Sequence, residues 1–198
     1  MNNEEKPKEL ENAFETKKQK IIDILKKHDV SLEGWGKGSA KTIEHLVREV
    51  ADGETVLEED GSGELMRVVS IVYVDIYYAD KNTGNRLKLV EEKQVFKDGR
   101  ERTRKSLGGS IAEKLKVEES PDAKTVNRAI CEELGVNCEE MHSIGKGKEE
   151  VIQDSPSYPG LKMKAIKYFF EVELGEDQYK PEGYVEQQQD KDTFFKWV

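Results

Sequence analysis

The sequence predicts an α+β protein in which a mixed sheet is packed between helices and preceded by a helical extension. Residues 65–78, 87–96 and 161–174 are rich in the Val, Ile, Tyr and Phe side chains that favour strands. Residues 121–134 carry apolar side chains at helical spacing, and so do two segments near the N-terminus. Because strands and helices do not alternate strictly, we do not expect a series of parallel βαβ units.

The N-terminal residues, 1–60, are expected to form the helical extension. In residues 8–28 the apolar side chains lie on one stripe, as in an amphipathic helix: Leu10, Phe14, Ile21, Ile24 and Leu25. A second helix is expected with Ser39 as its N-cap and with apolar residues at i, i+3, i+4 and i+7: Ile43, Leu46, Val47 and Val50. The acidic run 58–63 contains two glycines and is typical of a linker, so a second domain is expected over 64–198.

The second domain is expected to begin with strands. Residues 65–78 predict a long, largely buried strand, residues 80–85 a turn, and residues 87–96 a second strand. The Asp98–Gly99 pair indicates a hairpin, which gives an antiparallel meander. The helix at 121–134 starts at Pro121 and is followed by Gly135, its expected C-cap. Further strands are expected at 161–174 and 193–198.

Composition limits the function classes. The chain of 198 residues has a formal net charge of −9, which argues against sequence-independent nucleic-acid binding, since phosphate contacts need clustered Lys and Arg. It has no apolar run of roughly 20 residues and no signal-peptide pattern, so we expect a soluble cytoplasmic protein without membrane contacts. Cys131 and Cys138 have no neighbours at zinc-ligand spacing and are expected to be free thiols.

One segment carries a chemical signature. Residues 128–136, Arg-Ala-Ile-Cys-Glu-Glu-Leu-Gly-Val, resemble the second half of the Nudix hydrolase signature Gly-x5-Glu-x7-Arg-Glu-U-x-Glu-Glu-x-Gly-U, in which U is aliphatic. The matching positions are Arg128, Ile130, Glu132, Glu133, Gly135 and Val136. Upstream, Gly108–Gly109 and the sequence Glu119-Ser-Pro121 resemble the loop and helix entry of that family. The resemblance implies a Nudix-like fold over about residues 64–198.

The resemblance implies a hydrolase that cleaves a phosphoanhydride in a nucleoside diphosphate-linked small molecule. Such chemistry uses Mg²⁺ or Mn²⁺ to neutralise phosphate charge and orient water, and carboxylate oxygens suit these hard cations. Arg128 and Glu132 lie about 40° apart on a helical wheel, so the arginine is placed to orient an acid one turn later. The implied catalytic residues are Arg128 and Glu133, and the implied metal ligands are Glu132, Glu133, Glu119 and Glu113.

Departures from the signature leave a second interpretation open. Ala129 stands where the family has a glutamate, and a count without gaps puts Lys114 and Ser120 where Gly and Glu belong. A gap restores Glu119 and turns residues 109–114 into a lengthened loop, with Glu113 as a substitute ligand. The alternative is therefore a catalytically inactive Nudix fold that senses a nucleotide or binds a protein partner. A structural domain without a ligand is a weaker third hypothesis.

Substrate contacts are expected from outside the helix. Arg100, Arg102 and Arg104 alternate, so a strand would direct them to one face; a solvated hairpin arm is the competing interpretation. Two glutamates follow the aromatic strand, Glu182 and Glu186, and Glu182 is preferred by position. The proposed substrate-binding residues are Gly108, Gly109, Arg104 and Glu182. The N-terminal helices suit packing on their own domain or on a second copy, which leaves a homodimer open.

Overall fold

The protein is described from a computed structural model that covers residues 5–103, 109–137 and 141–198, with side chains from residue 11 onward. The helices are α1 Glu5–Lys27, α2 Ile43–Ala51 and α3 Ala123–Leu134. The strands are β1 Val56–Glu59, β2 Leu65–Ala79, β3 Arg86–Phe96, β4 Glu101–Arg102, β5 Ile111–Leu115, β6 Ser143–Asp154, β7 Lys162–Glu173, β8 Tyr184–Gln187 and β9 Lys191–Trp197. The predicted α+β class is confirmed. None of the helices within these ranges has the length and apolar character needed to span a membrane.

The chain divides into two compact units. Unit 1 comprises Met1–Ser70, Lys116–Glu118 and Glu150–Ile166. Unit 2 comprises Ile71–Leu115, Glu119–Glu149 and Lys167–Val198, and it contains the whole of the signature helix α3. The division into an N-terminal extension over residues 1–60 and a domain over residues 64–198 remains a prediction.

Unit 1 is built on α1, α2 and β1. Its buried apolar residues form one cluster: Ile21, Leu25, Val30, Leu46, Val47, Leu65, Tyr158 and Leu161. Trp35 packs on the ring of Tyr158 at 4.9 Å and donates a hydrogen bond from Nε1 to the carbonyl of Pro159 at 2.9 Å. This contact fixes the turn that precedes α2. The helix is capped by Thr42, so the prediction of Ser39 as N-cap is wrong, because the first helical turn begins three residues later than the sequence pattern suggested.

Unit 1 also buries a charged group on its second helix. Glu49 is 6% exposed and accepts hydrogen bonds from Arg67, which is 4% exposed, at 2.7 Å to Nη2 and 3.2 Å to Nε. Lys41 Nζ lies 2.5 Å from the other oxygen of the same carboxylate. The guanidinium lies over the ring of Tyr158, 5.3 Å from its centroid. Buried charges persist only when paired and hydrogen-bonded, as this carboxylate is.

Unit 2 contains β3, β4, β5, β8 and β9 and parts of β2, β6 and β7, in a sheet whose strand order is β6-β7-β2-β3-β9-β8, with β4 paired to β3 and β5 paired to β2. Along β2 the residues from Val72 to Tyr78 alternate between buried and half-buried, as expected for a strand with one face in a core. The core is formed by side chains of the sheet and of α3, and includes Val72, Val74, Ile76, Leu89, Ile111, Val126, Ile130 and Leu134.

Helix α3 has well-defined ends. Asp122 is its N-cap, and its side chain accepts a hydrogen bond from the Thr125 amide at 3.0 Å. Gly135 adopts a left-handed conformation with φ 63° and donates its N–H to the Cys131 carbonyl at 2.9 Å. The prediction of Gly135 as the C-cap is confirmed, because glycine accepts this conformation without steric cost. Cys131 is disulfide-bonded, so the expectation of a free thiol there is wrong. The other cysteine, Cys138, lies outside the described residues.

Four strands were not predicted. β1 occupies part of the predicted linker and β5 lies in the predicted lengthened loop. β6 is exposed along most of its length and is rich in Lys, Glu and Gly, so it lacks the apolar alternation by which strands are found. β8 has only four residues.

Candidate functional site

The last turns of α3 place the signature side chains on different faces of the helix. Ala129 is 1% exposed and Ile130 is fully buried in the core of unit 2. Glu132 and Glu133 lie on either side of Ala129 around the helix, as the spacing of 100° per residue requires. The signature therefore directs two carboxylates away from the core at the end where the helix stops.

Arg128 is the centre of a carboxylate cluster in unit 2. Its Nη2 donates a hydrogen bond to Glu119 Oε1 at 2.9 Å, and its Nη1 donates one to Glu132 Oε2 at 3.2 Å. Glu113 Oε1 lies 3.8 Å from Nη1. The guanidinium fork thus brings together three acids from the helix, from the segment before it and from β5. The predicted role of Arg128 in orienting an acid has a geometric basis in these contacts.

A cleft of about 350 Å³ lies beside this cluster. Its described lining comes from β3, β5, α3, β8, β9 and the segments next to them, and is mostly polar: Glu91, Gln94, Ser110, Ile111, Ala112, Glu113, Ala129, Glu132, Glu133, Glu186, Gln188, Lys191, Thr193 and Phe195. Five of these residues are glutamates and one is a lysine. The position at which the signature lacks a carboxylate, Ala129, faces the same cleft as the two it retains.

A bulge in β3 supplies two of the lining residues. The pairing of β3 with β9 shifts register between Glu91 and Lys93. In a regular strand, residues three apart point to opposite faces. The extra residue at the bulge brings Glu91 and Gln94 to the same face, and both line the cleft. Gln94 is 2% exposed and is the buried polar residue of this wall.

The entrance to β5 is fixed by Gly109 and Ser110. A Cβ on Gly109 would lie 3.1 Å from the backbone nitrogen and oxygen of Val74, a distance that real Cβ contacts rarely reach, so this position favours glycine. The fully buried Ser110 hydroxyl donates to the Leu89 carbonyl at 2.5 Å and accepts from the Ile76 amide at 2.9 Å. Ser110 therefore links β2 to β3 at the lining of the cleft and sets where β5, with Glu113, begins.

The donor set suits a hard divalent cation in chemical type, because the lining glutamates offer carboxylate oxygens. Within the described part of the chain, however, no three His, Cys, Asp or Glu side chains are grouped closely enough to hold a metal ion as they stand. Arg128 occupies part of the space between three of the candidate acids. The acids around the cleft therefore fit a divalent cation by the chemistry of their donor atoms, whereas their spacing among the described residues does not by itself form a ligand set.

The structure brings most of the predicted site residues together. Glu113, Glu132 and Glu133 line the cleft, and Glu119 contacts Arg128. Glu182 is exposed and is not part of the described lining, whereas Glu186 is. Arg104 and Gly108 lie outside the described residues.

The lining residues on β3 and β9 were not predicted from the sequence. These are Glu91, Gln94, Lys191 and Thr193. Gln94 carried one signal, since it is an amide in an otherwise strand-forming segment. Nothing in the spacing showed that a bulge would turn it toward the same side as Glu91.

Comparisons with known proteins give matches among solved structures only. No protein-family model matches the sequence, and no curated protein matches it. A Listeria monocytogenes protein described as a NUDIX hydrolase is similar at 16% identity, over 65% of this chain and 75% of that one, with a TM-score of 0.41. The Ap4A hydrolase of Caenorhabditis elegans is similar at 12% identity, over 66% and 80% of the two chains, with a TM-score of 0.36.

A Deinococcus radiodurans protein is similar at 12% identity, over 73% of this chain and 83% of that one, with a TM-score of 0.40. The Listeria match carries the name of the family that residues 128–136 resemble.

Proposed function

We propose that this chain is a Nudix-like hydrolase that cleaves the phosphoanhydride of a nucleoside diphosphate-linked compound with the help of Mg²⁺ or Mn²⁺. The observation that carries the proposal is the end of α3. There Glu132 and Glu133 face a cleft that three further glutamates line, and Arg128 holds the cluster beside it. Several carboxylates around one small cleft repel each other unless a cation is bound between them.

The roles follow from position. Glu132 and Glu133 would hold the cation, with Glu113 from β5 as the substitute for the carboxylate that Ala129 lacks. Glu119 would join this set through Arg128, which binds it at 2.9 Å. A bound divalent cation would neutralise phosphate charge and lower the pKa of a bound water.

The chain's own part in the reaction would be to position the acids and to deprotonate the attacking water. Glu133 would accept a proton from the water that attacks phosphorus, while the P–O bond of the anhydride breaks and the second phosphate leaves. Arg128 would keep Glu132 and Glu119 in a fixed arrangement, because its planar fork bonds both. Such positioning lowers the barrier without new covalent chemistry.

The second candidate is an inactive Nudix fold that binds a nucleotide derivative or a protein partner. It is favoured by Ala129, which lines the cleft where the signature expects a glutamate. In this case the cleft would bind without turnover.

The test is a hydrolysis screen with Mg²⁺, using ADP-ribose, a nucleoside diphosphate sugar and Ap4A. Ion-exchange chromatography measures the two products of each cleavage, which are a nucleotide and the phosphorylated remainder of the substrate. We expect turnover that EDTA abolishes and that Glu133→Gln reduces by about 100-fold or more, the scale of a lost general base. Glu176→Gln is the matched control, because it removes a glutamate of unit 2 that is 69% exposed and outside the cleft.

The outcomes separate the two candidates. If wild-type protein releases no product while Ala129→Glu gains activity, the chain is an inactive fold and the hydrolase proposal fails. Equal low turnover in wild type and Glu133→Gln indicates a contaminant and also counts against it. Calorimetric binding of ADP-ribose without turnover supports the second candidate.

A further inference from the structure

A short arginine-bearing strand lies next to the wall of the cleft in unit 2. β4 pairs with β3 so that Arg102 stands directly opposite Gln94. Arg102 donates hydrogen bonds from Nε at 3.0 Å and from Nη2 at 2.5 Å, both to Gln94 Oε1. A contact through two nitrogens fixes the plane of the guanidinium as well as its position.

The amide nitrogen of Gln94 contacts two other residues that line the cleft. Its Nε2 lies 3.4 Å from Glu91 Oε2 and 3.4 Å from Thr193 Oγ1. Because arginine has donors only, the amide carbonyl must face Arg102 and the amide nitrogen must face the two acceptors. With 2% of its surface exposed, Gln94 is set in one orientation and is placed to position Arg102.

The charge of the cleft gives this arrangement a use. Five of the described lining residues are glutamates, so an anionic ligand needs positive charge to approach. Arg102 is exposed, and the contact with Gln94 uses two of its three nitrogens. A guanidinium has five N–H donors in a geometry that matches a phosphate.

From these contacts we infer that Arg102, positioned by Gln94, binds a phosphate group of the ligand at the edge of the cleft. The inference rests on the proposed function, which makes the ligand a diphosphate compound. It assigns the binding of a phosphate to a residue of β4, next to the wall formed by β3 and separate from the carboxylates of α3. Gln94 is a positioning residue in this scheme, and Arg102 is the residue that touches the ligand.

The neighbouring arginine provides a matched control. Arg100 and Arg102 both lie over the ring of Phe96, with Cζ at 5.0 Å and 5.4 Å from its centroid. Arg100 is 74% exposed and its Nε binds Asp98 Oδ2 at 2.8 Å. Both arginines carry a positive charge, lie over the Phe96 ring and follow β3 in the same hairpin. They differ in that Arg102 is hydrogen-bonded to Gln94.

The experiment measures binding of inorganic diphosphate by calorimetry in the presence of Mg²⁺, in the full chain. We expect Arg102→Gln to raise Kd about tenfold, the effect of losing one charged contact of about 1.4 kcal/mol. Arg102→Lys should recover part of this loss, since it keeps the charge and loses the fork. Arg100→Gln should change Kd less than about twofold. The ratio of the Arg102→Gln and wild-type Kd values should fall as NaCl is raised.

Gln94→Leu tests the positioning step. It removes the carbonyl that orients Arg102 but leaves the arginine in place, so Kd should rise by an intermediate factor while a second change, Arg102→Gln, adds little to it. Circular dichroism melting curves of each variant show whether folding is kept. If the two changes add fully, Gln94 does not act through Arg102.

The inference is overturned if Arg102→Gln binds diphosphate as wild type does, if both arginine variants lose affinity equally, or if wild type shows no binding at millimolar diphosphate. These results are independent of turnover. A tenfold loss confined to Arg102→Gln in a chain that hydrolyses nothing supports the inference and removes the hydrolase proposal. If the chain hydrolyses its substrate and Arg102→Gln leaves KM unchanged, the hydrolase proposal is supported and the inference about Arg102 is overturned.

Discussion

Replacement of Arg128 by glutamine tests whether electrostatic contacts hold the acids of the signature. The contact with Glu119 joins side chains that are 36% and 24% exposed, the contact with Glu132 one that is 60% exposed, and Glu113 is 3.8 Å away. Exposed pairs contribute about 0.2–1 kcal/mol each, so the first lies near the top of this range and the others near the bottom. The sum is about 1.5 kcal/mol of unfolding free energy.

The assay is urea denaturation at low and high NaCl, without divalent cations. We expect Arg128→Gln to lose about 1.5 kcal/mol at low salt and clearly less at about 1 M NaCl, where the Debye length is about 3 Å. Lys124→Gln, on the first turn of the same helix, is the control for loss of a positive charge and should stay within about 0.5 kcal/mol. An Arg128→Gln loss that is absent, or that salt leaves unchanged, would refute the electrostatic account.

Two further predictions concern unit 1. Glu49→Gln should lower the free energy of unfolding by about 3 kcal/mol, because it leaves the 4%-exposed Arg67 without its carboxylate; Glu49→Leu with Arg67→Met should recover most of the loss, and a double variant worse than either single would contradict this. Lys18 lies 2.7 Å from Glu44 and lowers the pKa of that carboxyl to about 2. A lowered folded-state pKa gives stability that is present above the ordinary pKa of 4.5 and is lost as pH falls toward about 2. The melting temperature of Glu44→Gln should therefore be below that of wild type at pH 7, by the effect of one exposed ion pair of about 0.2–1 kcal/mol. The two melting temperatures should converge near pH 2. A difference that stays constant with pH would contradict the assignment.

The sequence predicted the elements whose residues follow a regular period. β2, β3, β7 and α3 all lie within two residues of their expected bounds, because each has a buried face that repeats along the chain. β6 was missed for the opposite reason. Its residues are mostly exposed, so its position in the sheet depends on backbone pairing that composition does not record.

The candidate site divides along the same line. Arg128, Glu132 and Glu133 were predicted from the resemblance to the Nudix signature, and the helix converts their spacing directly into direction. The choice of Glu119 as a site residue required a gap in the signature, and in the structure Glu119 lies 2.9 Å from Arg128. The lining residues from β8 and β9 depend on long-range strand pairing, so position in the sequence favoured Glu182 while the structure places Glu186 in the cleft.

The bulge in β3 shows why the missing carboxylate at Ala129 does not by itself decide the chemistry. A signature helix supplies one wall of the cleft, and its loss of one glutamate is visible in the sequence. β3 contributes Glu91 to the lining, and the register shift between Glu91 and Lys93 brings Glu91 to the same face as Gln94. The number of carboxylates facing the cleft is therefore a property of the sheet as well as of the helix. Glu91→Gln in the hydrolysis screen tests whether Glu91 takes the place of the glutamate that the signature has at position 129. A loss of turnover comparable with that of Glu133→Gln would show that it does. Unchanged turnover would show that it does not.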